Sequence, residues 1–256
     1  MKISVIIPVL NSHEMLRRYL LYLEKIGVEE DTEIIIMDDG SDIPLTYSGK
    51  LPVQIIPTHD KRPWTSSLAR NKAARIAKGE YLIMVDLDHI ITKEIMDMVR
   101  TFGGQKITFN REFAVLQEDG TLTQDVEELV KHGIPRERFL QKGCYINPHQ
   151  NMFAMRKDVF WELGGYREDL VDRPYPQGED RLFKKLWYQW ERDGKGVVHS
   201  ERPVVYVFPT GYVCGDVDFN PFGLFHTLSR KNKKNYRYRQ QQGLLEGKII
   251  LRGRNK

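Results

Sequence analysis

Asp86 and Asp88 stand one residue apart directly after the apolar run Tyr81–Val85. That spacing lets one turn aim two carboxylates at a single hard cation, or one at a cation and the other at a hydroxyl. Two more polar groups follow apolar runs in the same way, Asn11 after Ile3–Val9 and Asp38-Asp39-Gly40-Ser41 after Ile34–Met37. In open α/β sheets ligands bind beyond the carboxyl ends of the strands, where loops and helix N-termini expose unpaired N–H groups. If these runs are parallel strands of one sheet, their acids and the amide converge on one edge. Carboxylates crowded at a buried edge repel one another, so a divalent cation, Mn²⁺ or Mg²⁺, or a ligand with donor hydroxyls is their natural partner. The plainer alternatives are a solvated turn at Asp86–Asp88 and a strand-ending Asx turn at Asp38–Ser41.

The elements that would position these groups are written in the first hundred residues, which alternate strand and helix patterns at short spacing. That is the sign of right-handed crossovers and a mainly parallel sheet flanked by helices, an α/β fold. Ile3–Val9 is a β-branched run; Ser12 can cap a helix whose Leu16, Tyr19, Leu20, Leu23 and Ile26 form one stripe before Gly27 stops it. Ile34–Met37 and Val53–Ile56 read as strands, and Ser66 or Ser67 as the cap of a helix with Ala69, Ala73, Ile76 and Ala77 on one face, ended by Gly79. Tyr81–Val85 is apolar on both faces, as a covered central strand should be, and Thr92 starts another helix. Further on, Lys106–Phe109 and Phe113–Leu116 look like a strand pair and Gln141–Pro148 like a loop. Arg156–Leu163 is a short helix closed by Gly164-Gly165. Glu179–Arg192 is a stronger one, with Leu182, Phe183, Leu186, Trp187 and Trp190 at helical spacing and its aromatics expected in the core, and Val197–Val198 and Val204–Phe208 are strands.

Composition narrows the class. With 256 residues, 41% hydrophobic and 29% charged, the chain is long enough for one large core and too apolar for disorder. No apolar run approaches the roughly 20 residues of a membrane span, and the N-terminus enters a strand pattern without the order of a signal peptide. Cys144 and Cys214 lie outside any C-x-x-C spacing and are expected to be free thiols in a reducing, cytoplasmic setting. A net charge of +4 is too small to define a nucleic-acid binder, and no nucleic-acid partner is expected. Arg230, Lys231, Lys233, Lys234, Arg237 and Arg239 nevertheless crowd one stretch, either a solvated tail or a contact for anionic lipid or a phosphate-bearing acceptor, which would place the protein peripherally at the inner face of the membrane.

Several motifs in register resemble the nucleotide half of family-two glycosyltransferases with the GT-A fold. They are Ser4-Val5-Ile6-Ile7-Pro8-Val9-Leu10-Asn11, Ile36-Met37-Asp38-Asp39-Gly40-Ser41, Ala69-Arg70-Asn71-Lys72-Ala73, Gly79-Glu80-Tyr81 and Asp86-Leu87-Asp88. Phe160-Trp161-Glu162-Leu163-Gly164-Gly165-Tyr166 and Gly178-Glu179-Asp180 resemble the acceptor-side helix and Glu-Asp motif of that family and of related galactosyl- and N-acetylgalactosaminyltransferases. The resemblance implies a single Rossmann-like GT-A domain over 1–228, with a nucleotide-binding half at 1–100 and an acceptor half at 101–228, followed by a basic segment at 229–256. It implies that Pro8, Leu10, Asn11 and Asp39 border the nucleobase, with Asp39 or Asp38 accepting from a uracil N–H. Asp86 would face the ribose or donor sugar, Asp88 would hold the metal, and Lys61, Arg62 or Arg70 would meet the diphosphate. His226 resembles the late histidine that completes the metal shell in galactosyltransferases, and imidazole suits Mn²⁺ better than Mg²⁺.

The activity so implied is metal-dependent transfer of a sugar from a UDP-sugar to a hydroxyl of a glycan or glycolipid, with inversion. Asp180, at the N-terminus of its helix, is the expected base, with Glu179 orienting the acceptor. Two rivals are a sugar-phosphate nucleotidyltransferase, which would want a Gly-rich, Arg-containing loop after the first strand, and a non-catalytic nucleotide- or glycan-binding module. Pro8-Val9-Leu10-Asn11 lacks such a loop.

Overall fold

The computed structural model describes residues 1–60, 65–147, 149, 152–170, 179–196 and 202–209, without the side chains of 170 and 179. The chain runs β1 (Ile3–Val9), α1 (His13–Ile26), β2 (Thr32–Asp38), β3 (Val53–Pro57), α2 (Ser66–Ile76), β4 (Tyr81–Met84), β5 (His89–Ile90) and α3 (Lys93–Thr101). It continues through β6 (Lys106–Thr108), β7 (Asn110–Phe113), β8 (Val115–Leu116), β9 (Leu122–Thr123), α4 (Val126–Lys131), α5 (Arg136–Lys142) and β10 (Tyr145–Ile146). Last come β11 (Phe153–Arg156), α6 (Lys157–Glu162), α7 (Glu179–Arg192) and β12 (Val204–Val207). No helix among the described residues is long and apolar enough to cross a membrane.

The main sheet has the order β3-β2-β1-β4-β11-β6, with β1 parallel to β2 and β4, β2 parallel to β3, and β11 antiparallel to both its neighbours. Its central strands β1, β2 and β4 are buried on both faces because both faces are covered. Val5, Ile7, Ile34 and Ile36 join a core with Leu16, Tyr19 and Leu23 of α1 and Ile95 and Val99 of α3. Ile6, Ile35, Met37 and Leu82 face Ala69 and Ala73 of α2, Phe160 of α6, and Phe183 and Trp187 of α7. Here α7 docks partly on a cation: the Lys106 ammonium lies 4.9 Å from the ring centroids of both Phe153 and Trp187, and burial pushes its pKa down to about 7. Register pairs Val9 with Asp38 and Asp38 with Pro57, so the loops after β1, β2 and β3 share one edge.

A second sheet, β10-β7-β12-β5, adjoins that edge. Lys106–Phe109 and Phe113–Leu116 do not pair with each other: β6 completes the main sheet, β7 belongs to the second, and β8 pairs with β9. The expected loop at 141–148 contains the end of α5 and the short strand β10. Periodicity could not reveal either, since each strand is two to four residues long and takes its partner from elsewhere in the chain.

Several expected caps have other employment. Ser12 occupies the N-cap of α1, but its hydroxyl donates to the Leu10 carbonyl at 2.7 Å. The N-cap of α2 is Thr65, not Ser66 or Ser67. Gly79 does not terminate α2, which ends at Ile76; a Cβ there would lie 2.5 Å from the Ser4 backbone nitrogen, so glycine is required by close chain approach. The Gly79 N–H donates to Ser4 Oγ at 2.8 Å, and Ser4 donates to the buried Glu33 carboxylate. Ile76 is exposed, and Ala74 is buried instead. Thr92 does cap α3, accepting from the Ile95 N–H at 3.2 Å.

Candidate active site

β4 ends at Met84, and within five residues the chain has left the main sheet and entered the second as β5. Asp86 and Asp88 lie in that crossing. The segment is held from three sides: the Phe208 N–H donates to the Asp88 carbonyl at 2.8 Å, the His89 N–H to the Asp86 carbonyl at 2.9 Å, and the Tyr19 hydroxyl to the His89 carbonyl at 3.1 Å. The same hydroxyl accepts from the Ile91 N–H at 2.9 Å, so a fully buried tyrosine of α1 clamps both flanks of β5. Burial drives its pKa far above the ordinary phenol range.

One ligand atom each from Asp86, Asp88 and His89 falls within 4.8 Å of the others. Two carboxylates and an imidazole suit a small divalent cation such as Mn²⁺. Asp88 and His89 are buried, and His89 Nδ1 lies 2.6 Å from Asp88 Oδ1. Asp86 is ion-paired with Arg70 of α2, whose guanidinium is almost fully buried and lies 5.9 Å from the centre of the Tyr166 ring. Of the cations expected near a diphosphate, Arg70 is thus at this edge, while Lys61 and Arg62 lie outside the described residues.

Asp38 and Asp39 have different surroundings. Asp38 Oδ1 accepts from the Ser41 N–H at 2.8 Å and Oδ2 from the Leu45 N–H at 3.1 Å, so this carboxylate shapes its own loop. Asp39 accepts from the Thr65 hydroxyl at 2.6 Å; the residue at the α2 N-cap spends its side chain on the site. Burial raises the Asp39 pKa to about 7, opposed by the Thr65 hydrogen bond and Arg70 and reinforced by Asp60 and Asp38. Asn11, at a positive φ of 49°, bridges to Asp42: its amide donates to Asp42 Oδ2 and its carbonyl accepts from the Asp42 N–H, each at 2.8 Å. Pro8 and Leu10 are half-buried beside it. Pro8 lies two residues beyond the last β1–β4 pair, at Ile6, so its missing N–H breaks no rung on that side.

Asp180, the expected base, occupies the first turn of α7 and is half-buried. His149 connects it electrostatically with the crossing segment: burial lowers the imidazole pKa, the carboxylates of Asp86 and Asp180 oppose that, and His89 and Arg111 add to it. The His149 ring centroid is 6.1 Å from that of His89. Asp39, Arg70, Asp86, His149 and Asp180 are therefore electrostatic neighbours in series, with the imidazole pushed toward its neutral form. The Glu179 side chain, His226 and the basic segment 229–256 lie outside the described residues. Sequence reasoning missed Thr65, Arg111 and His149, because no local pattern marks a hydroxyl, guanidinium or imidazole that reaches a site from another element. Asn71, inside the Ala69–Ala73 motif, has a structural task. Its side chain accepts from the Tyr166 N–H at 3.0 Å and donates to the Tyr166 carbonyl at 2.8 Å, tying α2 to the turn at Gly164-Gly165.

Comparison with known proteins gives concordant results. The profile of glycosyl transferase family 2 matches residues 4–164. The chain is 36% identical over 193 residues to the poly(ribitol-phosphate) beta-glucosyltransferase of Bacillus spizizenii, covering 72% of this chain and 29% of that protein. It is 35% identical over 99 residues to an uncharacterized glycosyltransferase of Bacillus subtilis, YfnE, covering 38% of this chain and 25% of that one. The chain thus spans less than a third of the length of these curated relatives. Among solved structures, residues 1–349 of S. aureus TarS superpose with a TM-score of 0.54 at 19% identity, covering 81% of this chain and 60% of that one. The same part of TarS in complex with UDP gives a TM-score of 0.53 at 19% identity, covering 85% and 63%. The fold is of the GT-A type.

Proposed function

We propose, because the chain belongs to glycosyl transferase family 2, that it moves a sugar from a UDP-sugar to a hydroxyl of a phosphate-containing glycan polymer, with inversion at the anomeric carbon. The observation that carries this is the gathering of Asp39, Arg70, Asp86, His149 and Asp180 as electrostatic neighbours, anchored by the Arg70–Asp86 ion pair and the Thr65–Asp39 hydrogen bond. In this reading that series joins a base-reading end to a proton-accepting end across a cation-binding turn. The poly(ribitol-phosphate) relative supports glucose and a polyol-phosphate acceptor, and TarS, seen with UDP and with UDP-GlcNAc on this fold, supports a uridine donor.

In this reading Asp39, held by Thr65, accepts from the uracil N–H, with Pro8, Leu10 and Asn11 bordering the base. Asp88 and Asp86 would hold a divalent cation, with His226 as a further ligand; such a cation neutralises charge on the leaving diphosphate. Arg70 adds a fixed positive charge beside Asp86. Asp180 takes the proton from the acceptor hydroxyl while that oxygen attacks the face opposite the leaving group, and Glu179 orients the acceptor. A positioned base of this kind contributes about 10²–10⁴-fold in rate. The basic segment 229–256 would hold the enzyme near an anionic surface at the cytoplasmic face of the membrane.

The test is incubation with UDP-glucose or UDP-GlcNAc, Mn²⁺ and poly(ribitol phosphate), with the anomeric configuration of the product read by NMR. A β-linked product from an α-linked donor is expected, and Asp88→Ala should abolish Mn²⁺-dependent UDP binding in calorimetry. An α-linked product would overturn inversion; unchanged UDP affinity in Asp88→Ala would overturn the cation assignment.

A further inference from the structure

Three atoms within ligand reach of one another suggest that His89 joins Asp86 and Asp88 around a cation. Its hydrogen bonds say otherwise. Arg111 Nη1 lies 3.1 Å from His89 Nε2. A guanidinium only donates, so Nε2 must offer its lone pair, and the ring proton must sit on Nδ1. From there it donates to Asp88 Oδ1 at 2.6 Å. Both ring nitrogens are engaged, one as acceptor and one as donor, and neither has a lone pair left for a metal.

We propose that His89 is a positioning residue for Asp88 rather than a ligand, and that Arg111 enforces its tautomer. This rests on the reading of Asp88 as the cation-holding carboxylate. The supporting geometry is built into the second sheet. His89 pairs with Val207 and Arg111 with Val205, so the two are diagonal neighbours across β12, on one face. Two strand spacings, about 10 Å, separate β5 from β7, a gap that arginine is long enough to bridge. Arg111 is itself anchored: Nε donates to the Asn147 carbonyl at 2.6 Å, and Nη2 donates to the same oxygen. The Tyr19 hydroxyl and the Phe208 N–H fix the backbone of His89 and Asp88. For His89 to ligate through Nδ1 it would have to release Asp88 and turn an Nε2–H toward the guanidinium, setting two donors against each other. Holding one carboxylate oxygen by a ring N–H removes rotational freedom from Asp88, so the cation meets a ligand already oriented.

The first test needs no metal. In the full chain labelled with ¹⁵N-histidine, a long-range ¹H–¹⁵N spectrum at mildly alkaline pH should show the His89 ring protonated on Nδ1, its signals identified by their loss in His89→Asn. A ring protonated on Nε2 would overturn the proposal. The second test reads Mn²⁺ affinity from the free-ion electron paramagnetic resonance signal. His89→Asn, whose amide N–H can stand in for Nδ1–H, should bind within about threefold of native, and His89→Leu about 10–100-fold more weakly, with the nucleotide KM of His89→Leu raised at low Mn²⁺ and returning toward native as Mn²⁺ saturates. Native-like Mn²⁺ affinity in folded His89→Leu would overturn the role, as would loss of histidine-nitrogen coupling to bound Mn²⁺ in His89→Asn. If His89→Leu fails to fold, the tautomer and His89→Asn still decide. A native protein with the Nδ1–H tautomer that binds no Mn²⁺ would overturn the cation reading. The wrong tautomer in a protein that does bind would overturn the positioning role alone.

Discussion

Arg70, almost fully buried on α2, is ion-paired with Asp86, which keeps about a third of its side-chain surface in contact with solvent. The asymmetry predicts unequal costs. Removing Asp86 takes the strand-side carboxylate from a buried guanidinium, and Asp86→Ala should destabilise the fold by roughly 3 kcal/mol, near the lower end for a buried pair broken on one side. Arg70→Gln leaves a carboxylate that water can reach, so its melting temperature should fall less while UDP affinity falls about tenfold or more. Thermal melts and calorimetry on both variants check this; equal losses of stability would refute the argument.

Asp180→Asn should leave UDP binding nearly intact and lower kcat by about 10²-fold or more, because the amide keeps the shape of the first turn of α7 but cannot take a proton. Steady-state kinetics with the donor saturating measures it. Equal kcat in variant and native enzyme would remove the base assignment.

Asp39 predicts a pH dependence. Its pKa is raised to about 7 in the folded protein. In the proposed role the ionised carboxylate accepts from the uracil N–H more strongly than the neutral acid, so UDP affinity should be flat above about pH 8 and fall by up to about tenfold by about pH 6, with proton release on binding near neutrality. The sign for stability is the reverse of the usual aspartate. The folded state binds the proton more tightly than the unfolded chain, so this group's contribution is full below the unfolded value of about 4 and is lost as pH rises through about 7. Asp39→Asn should flatten both profiles; calorimetry in buffers of different ionisation enthalpy, with pH-dependent melts, reads them.

The basic stretch from Arg230 to Arg239 predicts binding to vesicles containing anionic lipid, weakening with salt. Flotation of the full chain and of a chain lacking residues 230–256 should differ by most of the bound fraction. Equal flotation would end the idea.

The first hundred residues were legible in advance because their elements are long and their signals local. β1, β2 and β4 are apolar on both faces, and α1 carries a stripe that is buried from Leu16 to Leu23. The second sheet was not legible. β5, β7 and β10 are two to four residues long, too short for a period, and each is stabilised by partners remote in the chain. The turn residues Asp38 and Asp39 were indistinguishable on paper; their separate tasks appear only when Ser41 and Leu45 close on one and Thr65 on the other.

By itself the sequence determined the fold class, the order of the parallel strands' elements, and which acids follow which strands, since burial periodicity and turn chemistry act over a few residues. Tertiary structure alone decided which acids meet, that Arg70 answers Asp86, and that Arg111 reaches His89 across β12. Those are contacts between side chains 16 and 22 positions apart, made by sheets whose pairing is nonlocal, and a hydrogen bond's direction depends on distances of a few ångströms that no spacing in the chain encodes.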